Sequence, residues 1–240
     1  GLERDYITQW SYGIGETFTL LVPNTKGGAS VPLAMNEKAM EKANPMYMNI
    51  YRQIGQYWGE QPGTSGPVYV GAFVVFLFVL GLFIVKGPMK WALLVATILS
   101  ILLSWGKNFM GFTDFFIDYI PMYSKFRTVS SILVVAEFTF PLLGMLALKE
   151  LVERPQLIKE HMKDFLISFG LTGGLALLFA LAPKIFFSSY VSTMEMSALQ
   201  GIPAEQLVPL LANLEEVRMS MFIADAWRSF FIILLGVALL

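Results

Sequence analysis

The sequence predicts an all-α membrane protein that crosses the bilayer several times. Hydrophobic residues make up 55% of the 240 positions and charged residues only 15%, a balance that soluble domains rarely have. The mean hydropathy is +0.61. The apolar residues are gathered into long runs with few charges, as helices that lie in lipid require. The formal net charge of −1 provides no field that would attract nucleic acid, so none is expected as a partner.

Five apolar segments predict about five transmembrane helices, of which the last is truncated. They cover residues 68–85, 91–105, 130–148, 165–182 and a run that begins near Trp227. The first segment has no charge and is about long enough to cross the hydrocarbon core. The second is shorter and has a tryptophan at each end, where membrane interfaces favour this residue.

The chain is therefore expected to comprise four parts. Residues 1–65 form an extracytoplasmic loop segment, and residues 66–182 form a region of four transmembrane helices with an outer interfacial helix near 112–120. Residues 183–227 form an extracytoplasmic helical loop, and residues 228–240 begin the fifth transmembrane helix.

The orientation follows from two short basic loops, because lysine and arginine accumulate on the cytoplasmic side of membranes. These loops are KGPMK, which joins the first two segments, and KELVERPQLIKEHMK at 149–163. Placing both inside puts the longer polar segments outside. Lys107, Lys125 and Arg127 then also lie outside, against the general rule, so their presence there needs a functional reason.

The segment GFTDFFIDYI predicts a short helix at the outer interface, with Asp114 and Asp118 on one face. Pro121 ends this helix, and Lys125 and Arg127 follow at the depth of the lipid head groups. Two cations at that depth are suited to bind a lipid phosphate. The alternative is that they pair with the two aspartates or with ordinary anionic phospholipids. Metal binding by the aspartates is a weaker interpretation.

Glu137 is a carboxylate within the third apolar segment, where an ionisable group is costly. It indicates either an intramembrane polar site that opens outward or a buried residue that is satisfied by a hydrogen bond. Pro141, four positions later, frees a backbone carbonyl at the same level.

Several aromatic residues also have two interpretations. Trp10, Tyr12, Tyr57 and Trp58 suit stacking on sugar rings, and an interfacial aromatic belt is the alternative. The single histidine, His161, is expected to be a solvated loop residue, and the sequence has no cysteine. No cofactor and no metal site are identified; a divalent metal is compatible with the sequence, but nothing in it supports one.

Three blocks of the sequence are distinctive: YITQWSYGIGETFTLLVPNTKGGAS, YWGEQPGTSGPVYVGAFVVFLFVLGLF and FTDFFIDYIPMYSKFRTVSSILVVAEF. In their residues and in their order along the chain, these blocks resemble the bacterial YfhO family of large polytopic membrane proteins, in the form common among Bacteroidetes. The resemblance extends through about residue 150. Because the chain begins without an initiator methionine and stops within an apolar run, it is expected to be an internal fragment of a longer protein.

The resemblance implies a GT-C-type glycosyltransferase of the bacterial inner membrane, with many transmembrane helices and long extracytoplasmic loops. Such an enzyme transfers a sugar from a polyprenyl phosphate to a cell-envelope acceptor. Lys125 and Arg127 would hold the carrier phosphate, with Lys107 as a third cation and Tyr123 as a hydrogen-bond donor. The catalytic base is expected in the first outer loop, upstream of Gly1, and is therefore unknown for this chain.

Two other classes of function fit the same sequence. A transporter or flippase-like protein for a lipid-linked substrate would use Glu137, Pro141 and the glycine-rich fourth segment as its path. A structural scaffold of an envelope complex would use the long loop at 183–227 to bind another protein.

Overall fold

The computed structural model describes residues 3–125 and 127–240, and these residues form helices and turns with no β-strand among them. The all-α prediction is confirmed for this part of the chain. The first 65 residues contain only short helices. Three α-helices, α1 to α3, cover Arg4–Ile7, Glu37–Met40 and Met48–Tyr51, and 3-10 helices cover Gly15–Leu20, Pro23–Lys26, Leu33–Met35 and Pro45–Tyr47.

Four longer helices follow in the middle of the chain. They are α4 (Ala72–Ile84), α5 (Met89–Ser104), α6 (Met110–Tyr119) and α7 (Val134–Glu153), with 3-10 helices at Gly106–Phe109, Tyr123–Lys125 and Val129–Leu133. The chain bends by 109° between α5 and the helical segment that ends with α6. The bend requires glycine at position 106, because φ is +45° and a Cβ atom would collide with the Ser11 side chain.

The C-terminal part ends in one very long helix. The elements are α8 (Leu157–Glu160), α9 (Met162–Phe169), α10 (Leu175–Leu181), α11 (Thr193–Ala198) and α12 (Ala204–Leu239), with a π-helix at Gly170–Gly174 between α9 and α10. α12 contains 36 residues. At about 1.5 Å per residue it measures roughly 54 Å, which exceeds the hydrocarbon core of about 30 Å. A bilayer therefore accommodates only part of α12.

Among the described residues, three helices are long and apolar enough to cross a membrane, namely Val129–Glu153, Met162–Leu181 and Ala204–Leu239. A fourth is obtained if the bent pair Met89–Ser104 and Gly106–Tyr119 is counted as one span. These helices support the prediction of a membrane protein with transmembrane helices. The predicted number of about five spans is higher than the structure provides.

The difference in number comes from the first predicted segment, since α4 has only 13 residues and is too short to count as a span, whereas the last segment differs only in where its helix begins. Within 68–85 only Ala72–Ile84 is helical, because Gly71 has a φ of +101° and Val85 is extended. At the other end, the helix begins at Ala204 and not near Trp227. The second half of the predicted 183–227 loop therefore forms the first two thirds of α12.

The apolar helices pack around α4 and α7. Gly81 allows the two to approach closely, since a Cβ atom there would lie 3.0 Å from the Leu143 side chain. The hydroxyl oxygens of Thr97 in α5 and Thr139 in α7 are 2.6 Å apart. This hydrogen bond satisfies both hydroxyls inside an apolar core and joins α5 to the central pair.

A second core forms where the N-terminal segment wraps around the first half of α12. Its buried residues are Leu33, Ala39, Tyr51, Leu210, Leu214, Val217 and Met221. Tyr51 donates a hydrogen bond of 2.6 Å to Asn213 of α12, and Asn213 also accepts from the backbone N–H of Asn44 at 2.8 Å. The polar N-terminal segment is thus held on the same helix whose C-terminal half carries exposed apolar side chains.

Candidate functional site

A cavity of about 390 Å³ lies where four distant parts of the chain meet, and we call it the cationic cavity. Its lining residues are Lys26, Trp58, Gly59, Glu60, Lys107, Phe186, Phe187, Ser188, Ser189, Val191, Ser192, Thr193 and Met194. Among them are two lysines, one carboxylate and four hydroxyl groups. The charges of this lining therefore sum to +1, and the hydroxyls add hydrogen-bond donors suited to an anion.

Lys26 lies between two aromatic rings in this cavity. Its Nζ atom is 3.8 Å from the ring centroid of Trp58 and 4.8 Å from that of Phe187, so both rings make cation–π contacts. Gly27 follows with a φ of +87°, and a Cβ atom there would collide with the Gln56 carbonyl. This turn places Lys26 against Trp58, whose backbone N–H donates to the Lys26 carbonyl at 3.0 Å.

Burial lowers the pKa of Lys26 to about 8, although the nearby carboxylates of Glu16 and Glu60 act in the opposite direction. No described acidic side chain lies within ion-pair distance of its Nζ atom. The ammonium group is therefore charged near neutral pH and has no direct counter-ion within this part of the chain. Such a cation is available to an anionic ligand.

Glu16 is a buried carboxylate beside Lys26, with only 1% of its surface exposed. It accepts hydrogen bonds from the Tyr57 hydroxyl at 2.5 Å, from the Glu60 N–H at 2.6 Å and from the Gly13 N–H at 3.1 Å. Burial raises the pKa of Glu16, and these donors oppose that shift. The pKa of Tyr57 is raised by burial and by the neighbouring carboxylate. The carboxylate of Glu16 thus accepts its hydrogen bonds from uncharged donors and not from Lys26.

The hydroxyl-bearing wall of the cavity is held in place by a buried ion pair. Arg218 of α12 is 1% exposed and donates to the two carboxylate oxygens of Glu195 at 2.5 and 2.8 Å. It also donates to the backbone carbonyls of Tyr190 and Gly55, at 2.9 and 2.8 Å. Ser192 caps α11 by accepting from the Glu195 N–H. The segment that carries the serines is therefore attached to α12 by charged, bidentate contacts.

The structure separates Lys107 from Lys125 and Arg127, the three cations that the sequence predicted to act together. Lys107 lines the cationic cavity, as part of the 3-10 helix that follows α5. Lys125 and Arg127 are exposed, and the Arg127 guanidinium lies 5.6 Å from the ring centroid of Tyr6. The hydroxyl of Tyr123 is buried with no hydrogen-bond partner among the described residues. Tyr123, Lys125 and Arg127 are not among the described residues that line the cavity.

Asp114 and Asp118 of α6 pair with Arg4 and not with Lys125 or Arg127. Arg4 forms ion pairs with Asp118, at 2.7 Å, and with Asp114. All three side chains are well exposed, so these pairs add little stability. Within the described ranges neither Lys125 nor Arg127 has a carboxylate within 4 Å. The alternative in which they pair with the aspartates is therefore not the observed arrangement.

Glu137 lines a second polar cavity of about 400 Å³, which we call the Glu137 groove. Its lining residues are Tyr12, Gln61, Thr64, Ser65, Gly66, Pro67, Val68, Thr128, Ser130, Ser131, Leu133, Val134 and Glu137. Ser130 donates to the Gln61 side-chain oxygen at 2.9 Å, which joins its two walls. Glu137 itself is exposed, in the first turn of α7. Among the described residues no cation lies within 4 Å of its carboxylate.

A small cavity of about 10 Å³ lies between these two, and we call it the connecting cavity. It shares Lys26 with the cationic cavity, and it shares Tyr12, Gln61 and Thr64 with the Glu137 groove. Glu16 also lines it. Its volume corresponds to about one water molecule. The connecting cavity thus has lining residues in common with both larger cavities.

Of the four aromatic residues that the sequence singled out, three line these cavities and one does not. Tyr12, Tyr57 and Trp58 are lining residues, whereas Trp10 is not among the described residues that line them, and stacking on a sugar stays a prediction. Lys26 was missed, although a lysine directly before two glycines indicates a tight turn around a charged side chain. Among the described residues, no three histidine, aspartate or glutamate side chains are grouped so that they could hold a metal ion.

Comparisons of the chain with protein-family models, with curated proteins and with solved structures gave no match. No family is therefore assigned on that basis. The interpretation of the two cavities rests on their own geometry and on the resemblance described from the sequence.

Proposed function

We propose that the intact protein is a membrane glycosyltransferase that takes a sugar from a polyprenyl phosphate, and that the cationic cavity holds the phosphate of this donor. The observation that carries the proposal is the pair of lysines, with four hydroxyl groups, around one cavity of about 390 Å³. A phosphate group is matched by two cations and several hydroxyl donors. The lining has too little apolar surface to suggest a purely hydrophobic ligand.

The position of the cavity supports a ligand that is anchored in lipid. Lys107 lies three residues after the last residue of α5, and Phe186 lies five residues after the last residue of α10. The cavity therefore lies where two apolar helices end, at the level expected for a lipid head group. A polyprenyl chain would extend from such a site along the apolar helices.

The proposed chemistry is stabilisation of the leaving phosphate. As the glycosidic bond to the carrier breaks, negative charge develops on the phosphate oxygens, and Lys26 and Lys107 would stabilise it electrostatically. The partial burial of Lys26 beside Trp58 and Phe187 lowers the local dielectric, which strengthens that interaction. Lys125 and Arg127, which are exposed, are proposed to contact the carrier outside the cavity, whereas the buried hydroxyl of Tyr123 is not placed to donate to it. The catalytic base is not assigned to any residue of this chain.

A transporter for a lipid-linked substrate is the second candidate, and one observation favours it. The candidate span Met162–Leu181 is interrupted by the π-helix Gly170–Gly174. π-helical turns and broken helices are frequent at functional sites in membrane transporters. A transporter would bind the same phosphate in the cationic cavity but would release the lipid without transferring its sugar.

The first test is native mass spectrometry of the full-length protein from lipid nanodiscs. We expect a polyprenyl phosphate, or its sugar adduct, to remain bound to the wild-type protein and to be lost in Lys26→Met. The control is Lys42→Met, which removes an exposed lysine outside the cavity and should retain the lipid. Bound phospholipid alone, unchanged in Lys26→Met, would contradict the donor site.

A transfer assay separates the two candidates. The glycosyltransferase predicts that radiolabelled sugar passes from the carrier to an envelope polymer, and that Lys26→Met reduces this transfer. Carrier that is bound and moved across vesicles, with its sugar still attached, would support the transporter instead.

A further inference from the structure

The Glu137 groove is a built polar cavity that the donor phosphate does not occupy. Its volume of about 400 Å³ lies within the range of small-molecule sites. Five serine and threonine residues, one glutamine and one carboxylate line it, namely Thr64, Ser65, Thr128, Ser130, Ser131, Gln61 and Glu137. The groove lacks a lysine or an arginine among its described lining residues. The Glu137 carboxylate, with no described cation in the lining to offset it, makes the groove electrostatically unfavourable for an anion.

Glu137 is an acceptor that is available to hydrogen-bond donors of a ligand. Glu137 belongs to the candidate span Val129–Glu153, about eight residues, or roughly 12 Å, after its first residue. No described cation lies within 4 Å of its carboxylate. An unpaired carboxylate is costly at that depth, and an ionised carboxylate only accepts hydrogen bonds. A ligand that donates several hydrogen bonds would satisfy it.

Two chemical classes supply such donors, and the rest of the lining distinguishes between them. An ammonium group only donates, so it would satisfy Glu137 but would offer no acceptor to the hydroxyl hydrogens of Ser65 and Thr128; Ser131 already donates to the Thr128 carbonyl at 2.7 Å. A sugar both donates and accepts through its hydroxyls. Its apolar ring face is matched by Val68 and by the apolar side chains at the start of α7. We infer that the Glu137 groove binds a hydroxyl-rich carbohydrate and that Glu137 accepts hydrogen bonds from its hydroxyl groups.

The inference rests on the proposed function in one respect, which is that the bound carbohydrate is taken to be the acceptor. The connecting cavity shares lining residues with both the groove and the cationic cavity, so a carbohydrate in the groove would lie in the same part of the molecule as the donor phosphate. Carbohydrate binding in the groove does not itself depend on that assignment.

The test is saturation-transfer difference NMR on the full-length protein in lipid nanodiscs, with D-mannose and N-acetyl-D-glucosamine as separate probes. We expect saturation transfer from the protein to the ring protons of at least one sugar. Glu137→Gln keeps the side-chain shape but removes the charged acceptor, and it should weaken binding by about tenfold. Glu153→Gln is the matched control, because it changes an exposed glutamate at the other end of α7 and should leave binding unchanged.

Three results would overturn the inference. The first is no saturation transfer to either sugar from the wild-type protein, and the second is equal transfer in Glu137→Gln. The third is binding of ethanolamine in place of the sugars, lost in Glu137→Gln, since this would identify an ammonium site. Retention of polyprenyl phosphate is measured on the same samples. If it fails while sugar binding persists, the donor proposal is wrong and the carbohydrate groove stands.

Discussion

Lys26→Met is the substitution that most directly probes the cationic cavity. Methionine keeps an unbranched apolar chain between Trp58 and Phe187 but removes the ammonium group. A hydrogen bond to a charged group contributes about 1.5–3 kcal/mol, which corresponds to roughly a 10- to 150-fold loss of affinity. Sulfate is the probe, because its charge does not change near neutral pH, and binding is followed by tryptophan fluorescence at constant ionic strength.

The pH dependence of sulfate binding provides a second, sharper measurement. Since the pKa of Lys26 is about 8, its ammonium group is mostly charged at about pH 7 and about one tenth charged at about pH 9. Affinity of the wild-type protein should therefore fall roughly tenfold over this interval. In Lys26→Met the affinity should be low and nearly independent of pH over the same range. Lys42→Met should behave like the wild-type protein.

The same pKa shift fixes the sign of a stability change. The unfolded chain binds the Lys26 proton more tightly than the folded chain does, so stability should rise as the pH increases from about 8 to about 10.5. Lys26→Met should not unfold the protein at neutral pH, because it removes a charge that burial disfavours. Unchanged sulfate affinity in this folded variant, or a wild-type affinity that is flat between about pH 7 and about pH 9, would refute the reasoning.

Three further predictions concern the surroundings of the site. Glu195→Ala leaves the buried Arg218 guanidinium without its carboxylate and should lower the free energy of unfolding by about 3 kcal/mol. The loss should appear as a lower thermal midpoint of unfolding, and an unchanged midpoint would contradict the prediction. Gly59→Ala should weaken sulfate binding, because its Cβ atom would collide with the carboxylate of Glu16, whereas Gly66→Ala meets no atom within 4 Å and should bind normally. Leu214→Ala should cost about 2–5 kcal/mol, and a loss below about 1 kcal/mol would mean that the second core is loosely packed.

The class of fold was predictable from the sequence because it depends on composition and local periodicity. The segments at 130–148 and 165–182 are apolar over a full span and form long helices, as expected. The bounds of the other helices depend on backbone conformation and tertiary packing, which a hydropathy profile does not include. Gly71 has a positive φ and so precedes α4, which shortens the first segment. The extension of α12 back to Ala204 depends on tertiary packing against the N-terminal segment.

The candidate site was less predictable, because its parts are far apart in the sequence. Lys26, Trp58, Lys107 and Phe187 come together only when the N-terminal segment is folded over the ends of α5 and α10. Lys107 was expected to help bind a phosphate, but the expected companions Lys125 and Arg127 lie outside the cavity. Lys107, Lys125 and Arg127 are close together in the sequence, which is why they were predicted to act together. In the structure, the bend at Gly106 and the following helix separate Lys107 from the other two.

The role of Glu16 explains why Lys26 remains available to a ligand. A carboxylate and an ammonium group buried close together would ordinarily pair and neutralise the site. Here the Tyr57 hydroxyl and the backbone N–H groups of Gly13 and Glu60 occupy the acceptor positions of Glu16. Lys26 faces aromatic rings, which attract a cation but leave its N–H groups without strong acceptors. An anion that enters the cavity can therefore form hydrogen bonds with Lys26 without first breaking an ion pair to Glu16, which is the arrangement that a phosphate-binding site requires.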